Sequence, residues 1–310
     1  MRKTITRLFL HLPVLLLIVP ACYAAERDWF KYENAYFEAY SDAREKKVRE
    51  LLDDLENFRA AVLQVGNFKV PDGAPKTQVL IFSSKREYVS LTGSGDVSAF
   101  TTSLDGIPYI VMPVGGLKRW SKFSIRHEFA HVLQSYRDVD LPLWYREGFA
   151  EFMSATRFRD KGKKFTIGDE TERQKSFYPW IPWGRLTSRD YDFHGVGAIE
   201  KLSDAYYQSW LLVHYLMIGD GGSNFDAMRR YLVIYARGEE TPETFEEVFG
   251  SSATALGNRI VREYLNRMPY YEVDFRPEMQ DHNFIRTPAP TDSTTATIEA
   301  LRNKVYGAFK

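Results

Sequence analysis

The chain has 310 residues, of which 44% are apolar, 26% charged and 15% aromatic, with 41 basic and 41 acidic side chains. Those values fit a globular protein of one large or two small domains, and the even charge balance gives no support for nucleic-acid binding. Cys22 is the single cysteine, which excludes a disulfide within the chain, so stability must come from a packed core.

Residues 1–24 read as a secretory signal. Arg2, Lys3 and Arg7 make a positive start, and LFLHLPVLLLIVP is an apolar stretch too short, and too interrupted by Pro13, to span a bilayer. Cys22 and Ala24 supply the small residues for cleavage after Ala24. Losing this segment leaves 38 basic against 41 acidic groups, a net charge near −3. A rival reading takes Val19-Pro20-Ala21-Cys22 as an imperfect lipobox with Cys22 lipidated. The first reading puts the protein in the periplasm of a prokaryotic envelope, and the second anchors it to a membrane through Cys22. Nothing else in the chain reads as transmembrane.

WFKYENAYFEAY, from Trp29 to Tyr40, predicts one or two strands around a Glu33-Asn34 turn. Residues 42–65 follow a helical period, with Val48, Leu51, Leu52, Leu55, Phe58, Ala61 and Val62 on one face and Asp42 as N-cap. Gly66 and the Pro71–Pro75 stretch end it. Gln78 to Phe82 predicts a short buried strand, and Ser83-Ser84 caps a short helix. Strands at about 97–103 and 107–113, joined at Asp105-Gly106, predict a hairpin.

The stretch from 118 to 155 carries the chemistry. A helix at about 118–136 holds His127-Glu128-Phe129-Ala130-His131. Residues i and i+4 share a helix face, so His127 and His131 can point two ring nitrogens at one ion. Glu128 lies beside that site and can take a proton from water. Asp138 to Pro142 is a link, and the helix at about 143–155 offers a third ligand in Glu147, with Glu151 one turn on as the rival ligand or as a group that orients a histidine. Against this stands a solvated helix face carrying His127, Glu128 and His131. That reading fits poorly with a helix otherwise built of Phe123, Ile125, Phe129, Ala130, Val132 and Leu133, where polar groups need partners.

Residues 152–169 predict a hairpin turning at Asp160-Lys161-Gly162, with Arg157, Arg159, Lys161, Lys163 and Lys164 at its tip as solvated edge charges. Residues 171–196 read as an aromatic loop (Phe177, Tyr178, Trp180, Trp183, Tyr191, Phe193) that could wall a cleft. Helices follow at 201–218, begun by Ser203 or Asp204, at 223–237, after Thr241-Pro242, and at 252–267. From Met268 the chain reads as irregular, with a flexible tail at 287–298 and a final LRNKVYGAF that is a short helix or docking segment. No repeat is present.

H-E-x-x-H, a short link, then W-x-x-E-G-F-A resembles the gluzincin zinc peptidases, above all their peptidase MA-like branch and more distantly the aminopeptidase N kind. The resemblance spans about 29–267 and is strongest at 120–152. Fifteen residues separate His131 from Glu147, a link shorter than in the aminopeptidase N group and familiar in the MA-like branch. The resemblance implies a gluzincin, thermolysin-like α+β fold: a mixed, mainly antiparallel sheet (25–116), zinc-binding helices (117–155) and a helical part (200–268) within one domain of 25–268, followed by a tail of 269–310. It implies one Zn2+ per chain on His127, His131 and Glu147, with Glu128 as general base and a peptide or protein as substrate. A tyrosine or histidine that steadies the oxyanion falls on Tyr206, with Tyr207, His214 and His194 as runners-up, although His214 also reads as a satisfied core histidine. An edge strand of the hairpin before the zinc helix would hold extended peptide by strand addition. Rival functions are a zinc-bearing but inactive envelope scaffold, a metal-free interaction protein, and a glycan hydrolase pairing Glu128 with Glu147, which leaves both histidines unused.

Overall fold

The architecture starts from alternation in a few short strands. The computed structural model describes residues 28–92, 99–114, 119–169, 181–192 and 199–308; the expected signal segment, with Cys22, lies outside them. β1 (Phe30–Glu33) and β2 (Phe37–Ser41) are antiparallel across the expected turn. The Asn34 side-chain oxygen closes it by accepting from the N–H groups of Tyr36 and Phe37 at 2.9 and 2.8 Å. α1 (Glu45–Gly66) leads to β3 (Thr77–Phe82), which is parallel to β2. α2 (Lys85–Thr92) leads to the hairpin of β4 (Phe100–Leu104) and β5 (Ile107–Pro113), with β5 parallel to β3. Asp105 and Gly106 turn that hairpin at φ 52° and 79°, the two left-handed residues that a type I′ turn requires.

β3 is apolar at every position from Val79 to Phe82 because both its faces are covered. Val79 and Ile81, with Ile110 and Met112 of β5, pack toward α1 and the site helices. Leu80 and Phe82, with Tyr109 and Val111, pack on the other side against Tyr88 and Leu91 of α2. Asp42 does not cap α1 as expected. Its carboxylate accepts instead from the backbone N–H and the hydroxyl of Ser83, and Arg44 takes the cap position with no side-chain bond.

α3 (Arg119–Ser135) and α4 (Leu143–Ser154) follow. Phe129 of α3 anchors into the first core between Phe37 and Phe58, at ring distances of 5.7 and 6.0 Å. α4 runs to Ser154, so the predicted hairpin shortens to β6 (Phe158–Arg159) and β7 (Lys164–Ile167). α5 (Trp183–Leu186), α6 (Ile199–Ile218), α7 (Phe225–Ala236), α8 (Thr244–Phe249) and α9 (Ala253–Arg259) form the helical part. α6 is already helical at Ile199, so Ser203 and Asp204 lie inside it rather than at its start. Trp183 and Tyr191 are buried in the core instead of walling a cleft; Phe177, Tyr178, Trp180 and Phe193 lie outside the described residues.

The stretch after Met268 corrects the expectation of an irregular tail. β8 (Tyr271–Asp274) pairs with β7 to complete a three-stranded sheet, so β7 is an interior strand and only β6 is an edge of the predicted hairpin. There Lys164 meets Glu272 at 2.9 Å and Asp274 at 3.8 Å. β9 (Ile285–Pro288) pairs antiparallel with β1 and completes a six-stranded main sheet of order β4-β5-β3-β2-β1-β9. α10 (Thr291–Ala308) covers the second face through fully buried Leu301, supported by Ile298. The whole is α+β with a mixed, mainly antiparallel sheet, and no helix among the described residues is long and apolar enough to cross a membrane.

Candidate metal centre

His127 and His131 stand one turn apart on α3, their rings at 83° and their Nε2 atoms 3.1 Å apart. Glu147 of α4 brings Oε2 to 3.2 Å from the His127 Nε2 and 3.1 Å from the His131 Nε2. The three atoms form a nearly equilateral triangle. Ligand atoms at about 2.0–2.1 Å from a tetrahedral ion stand about 3.3 Å apart, so this triangle needs to open only slightly to hold one. The group can hold a metal ion. Glu151, the rival third ligand, is not in the triangle.

Packing explains why Glu147 arrives there. A Cβ on Gly148 would lie 2.3 Å from the Ser209 carbonyl oxygen and 2.7 Å from the Val213 side chain of α6. Only glycine lets α4 and α6 approach this closely. Trp144, buried, packs its ring 6.1 Å from that of Tyr231 and ties α4 to α7. Two further clamps were not foreseen from the sequence. The Gln134 side-chain amide donates to the Arg146 carbonyl at 3.1 Å, one residue before Glu147. The Arg126 guanidinium donates to the Thr156 carbonyl at 2.6 Å and to Asp54 at 2.8 Å, joining α3 to the end of α4 and to α1. The only signal for them was polar character on the inward stripe of α3, one residue before His127 and one turn after His131.

The centre is closed on one side and open on the other. The side chains of His127 and Glu147 are 9% and 10% exposed, and that of His131 is 26%. Glu128, next along α3, is exposed. Glu151 is fully buried, with Oε1 3.1 Å from Nδ1 of His127, the ring nitrogen opposite the ligand one. This is how outer carboxylates fix the tautomer and orientation of metal-binding histidines. Burial opposes charge on the His127 ring, but the close carboxylates of Glu147 and Glu151 outweigh it and push its pKa up to about 9. For Glu147, burial works against the carboxylate, but His127 and His131 prevail and bring its pKa down to about 2. Both shifts favour an imidazolium beside a carboxylate when no ion is bound.

Tyr206 of α6 lies beside the centre, its ring 5.7 Å from that of His127. Tyr207 does not: it is buried against Trp210 at 5.4 Å. His214 is a core histidine. It is fully buried, with Nε2 3.0 Å from the Gly168 carbonyl and Nδ1 2.8 Å from the Tyr264 hydroxyl. Burial brings its pKa down to about 4, so the ring is neutral, donating from Nε2 and accepting at Nδ1. His194 lies outside the described residues. Set against known proteins, the chain matches no family model and no curated protein.

Proposed function

We propose that this protein is a zinc-dependent peptidase of gluzincin type, delivered to the cell envelope by residues 1–24. The observation that carries the reading is the triangle of His127, His131 and Glu147, backed by Glu151 and open beside Glu128. Two imidazoles and one carboxylate suit zinc among the divalent ions. An ion there supplies Lewis-acid polarisation of a peptide carbonyl and activation of water. Glu128 takes the proton of the attacking water and delivers it to the departing amine nitrogen. Glu151 holds the His127 ring in place. Tyr206 is the donor assigned to the oxyanion of the tetrahedral intermediate.

The sheet edge beside α3 supports a peptide substrate. Among the described residues β4 pairs only with β5. Ser103 stands opposite Pro108, which has no N–H, so this is a pair without ladder hydrogen bonds. The N–H and C=O of Ser103, and of Thr101 two residues back, therefore face the open edge. A cavity of about 410 Å³ adjoins it, lined by Thr101, Ser103, Val132, Ser135 and Tyr136, the last three just past His131. An extended peptide added to this edge lies along the metal helix. The test is Glu128→Gln, assayed on a broad peptide library with metal content measured in parallel. The expected result is a loss of about 10²–10⁴ in turnover with metal retained; full turnover in that variant would refute the mechanism.

A further inference from the structure

On the far side of the α3–α4 link from the centre is an apolar cavity of about 360 Å³, within the range of about 300–1,000 Å³ typical of small-molecule sites. Its floor and walls include Leu141, Tyr145, Met217, Met228 and Leu232. Its rim carries Arg137, Arg229 and Arg237, and no carboxylate lines it among the described residues. Val233, on the outer turn of α7, is 51% exposed at the mouth.

The arginines are under-neutralised. Arg229 and Arg237 hold only loose, exposed pairs, with Asp226 at 4.0 Å and Glu239 at 3.9 Å, contacts of little energetic weight. Arg137 sits 5.4 Å over the Phe68 ring and beside the Tyr145 hydroxyl, with no ion pair to any described carboxylate. An arginine without a carboxylate partner at the lip of an apolar hole is half a recognition site: the hole takes a hydrocarbon chain and the guanidinium fork takes a planar anion. We infer that this cavity binds a single-chain amphiphile with a carboxylate head, a long-chain fatty acid in chemical class, with the chain between α7 and the α3–α4 link and the head on Arg137. The site is independent of the peptidase reading.

The test is calorimetric titration of the full chain with dodecanoate and, separately, with dodecyltrimethylammonium, which has the same chain and the opposite charge. Saturable binding of one dodecanoate, at least about tenfold tighter than the cation, is expected. Arg137→Met should weaken dodecanoate about tenfold, the size of a lost charge-assisted hydrogen bond. Val233→Glu, an exposed substitution that puts an anion at the mouth, should do the same without disturbing the fold. Equal affinity for the two head groups, or no effect of either substitution, would overturn the proposal. So would sedimentation with phosphatidylglycerol vesicles in the absence of any binding of monomeric dodecanoate, which would make this face a membrane contact instead.

Discussion

His127 and His214 are both almost fully buried on apolar helices, and both lie against aromatic rings, yet they hold protons in opposite ways. His127 faces two buried carboxylates, Glu147 and Glu151, and keeps its proton up to about 9. His214 faces a carbonyl and a phenol and stays neutral down to about 4. Burial alone pushes both the same way. The difference is charge in the neighbourhood, and it separates a ring built to compete for a cation from a ring built to complete a core.

The comparison can be broken first at His214. His214→Leu leaves the Tyr264 hydroxyl and the Gly168 carbonyl without their partner, so chemical denaturation should show a loss of about 3 kcal/mol, with metal binding unchanged. A parallel loss of metal would deny the separation of roles. Glu151→Gln tests the other side. It keeps the shape but removes the charge behind His127, and metal affinity should fall about tenfold, at the low end for outer groups of metal sites. Unchanged affinity would reduce Glu151 to packing.

The same contrast can be read in the pH dependence of stability. In metal-free protein, the His127 contribution is full below its unfolded value near 6.5 and is lost as pH rises toward about 9. The His214 contribution has the reverse sign: full above 6.5, it is lost as pH falls toward about 4. Each slope is about 1.4 kcal/mol per pH unit. His127→Asn should flatten the alkaline slope and leave the acid one, as read from unfolding at stepped pH. Since a metal must displace the His127 proton, metal binding at neutral pH should also release about one proton.

Much of this contrast was legible in the sequence. The i, i+4 spacing of His127 and His131 dictates one face whatever surrounds it, and Glu147-Gly148 combines a candidate ligand with the residue that lets α4 approach α6. The continuous run in β3 and the Asp105-Gly106 turn carried their own local chemistry. What stayed hidden was long-range. Residues 291–297, TDSTTAT, have weak helix propensity, and their helix exists because Ile298 and Leu301 dock on the sheet. β9 is exposed at all four positions and has no alternation to read; its partner β1 lies more than 250 residues away. Asp42 reads as a cap until Ser83, brought near by β3, takes its carboxylate.

The central claim is that His127, His131 and Glu147 act together as one metal site, and metal stoichiometry tests it most directly. Purified protein offered zinc and then freed of excess should hold about one zinc per chain, and Glu147→Ala should lose most of it. A parent protein with no bound metal, or a variant that keeps its full complement, would contradict the account.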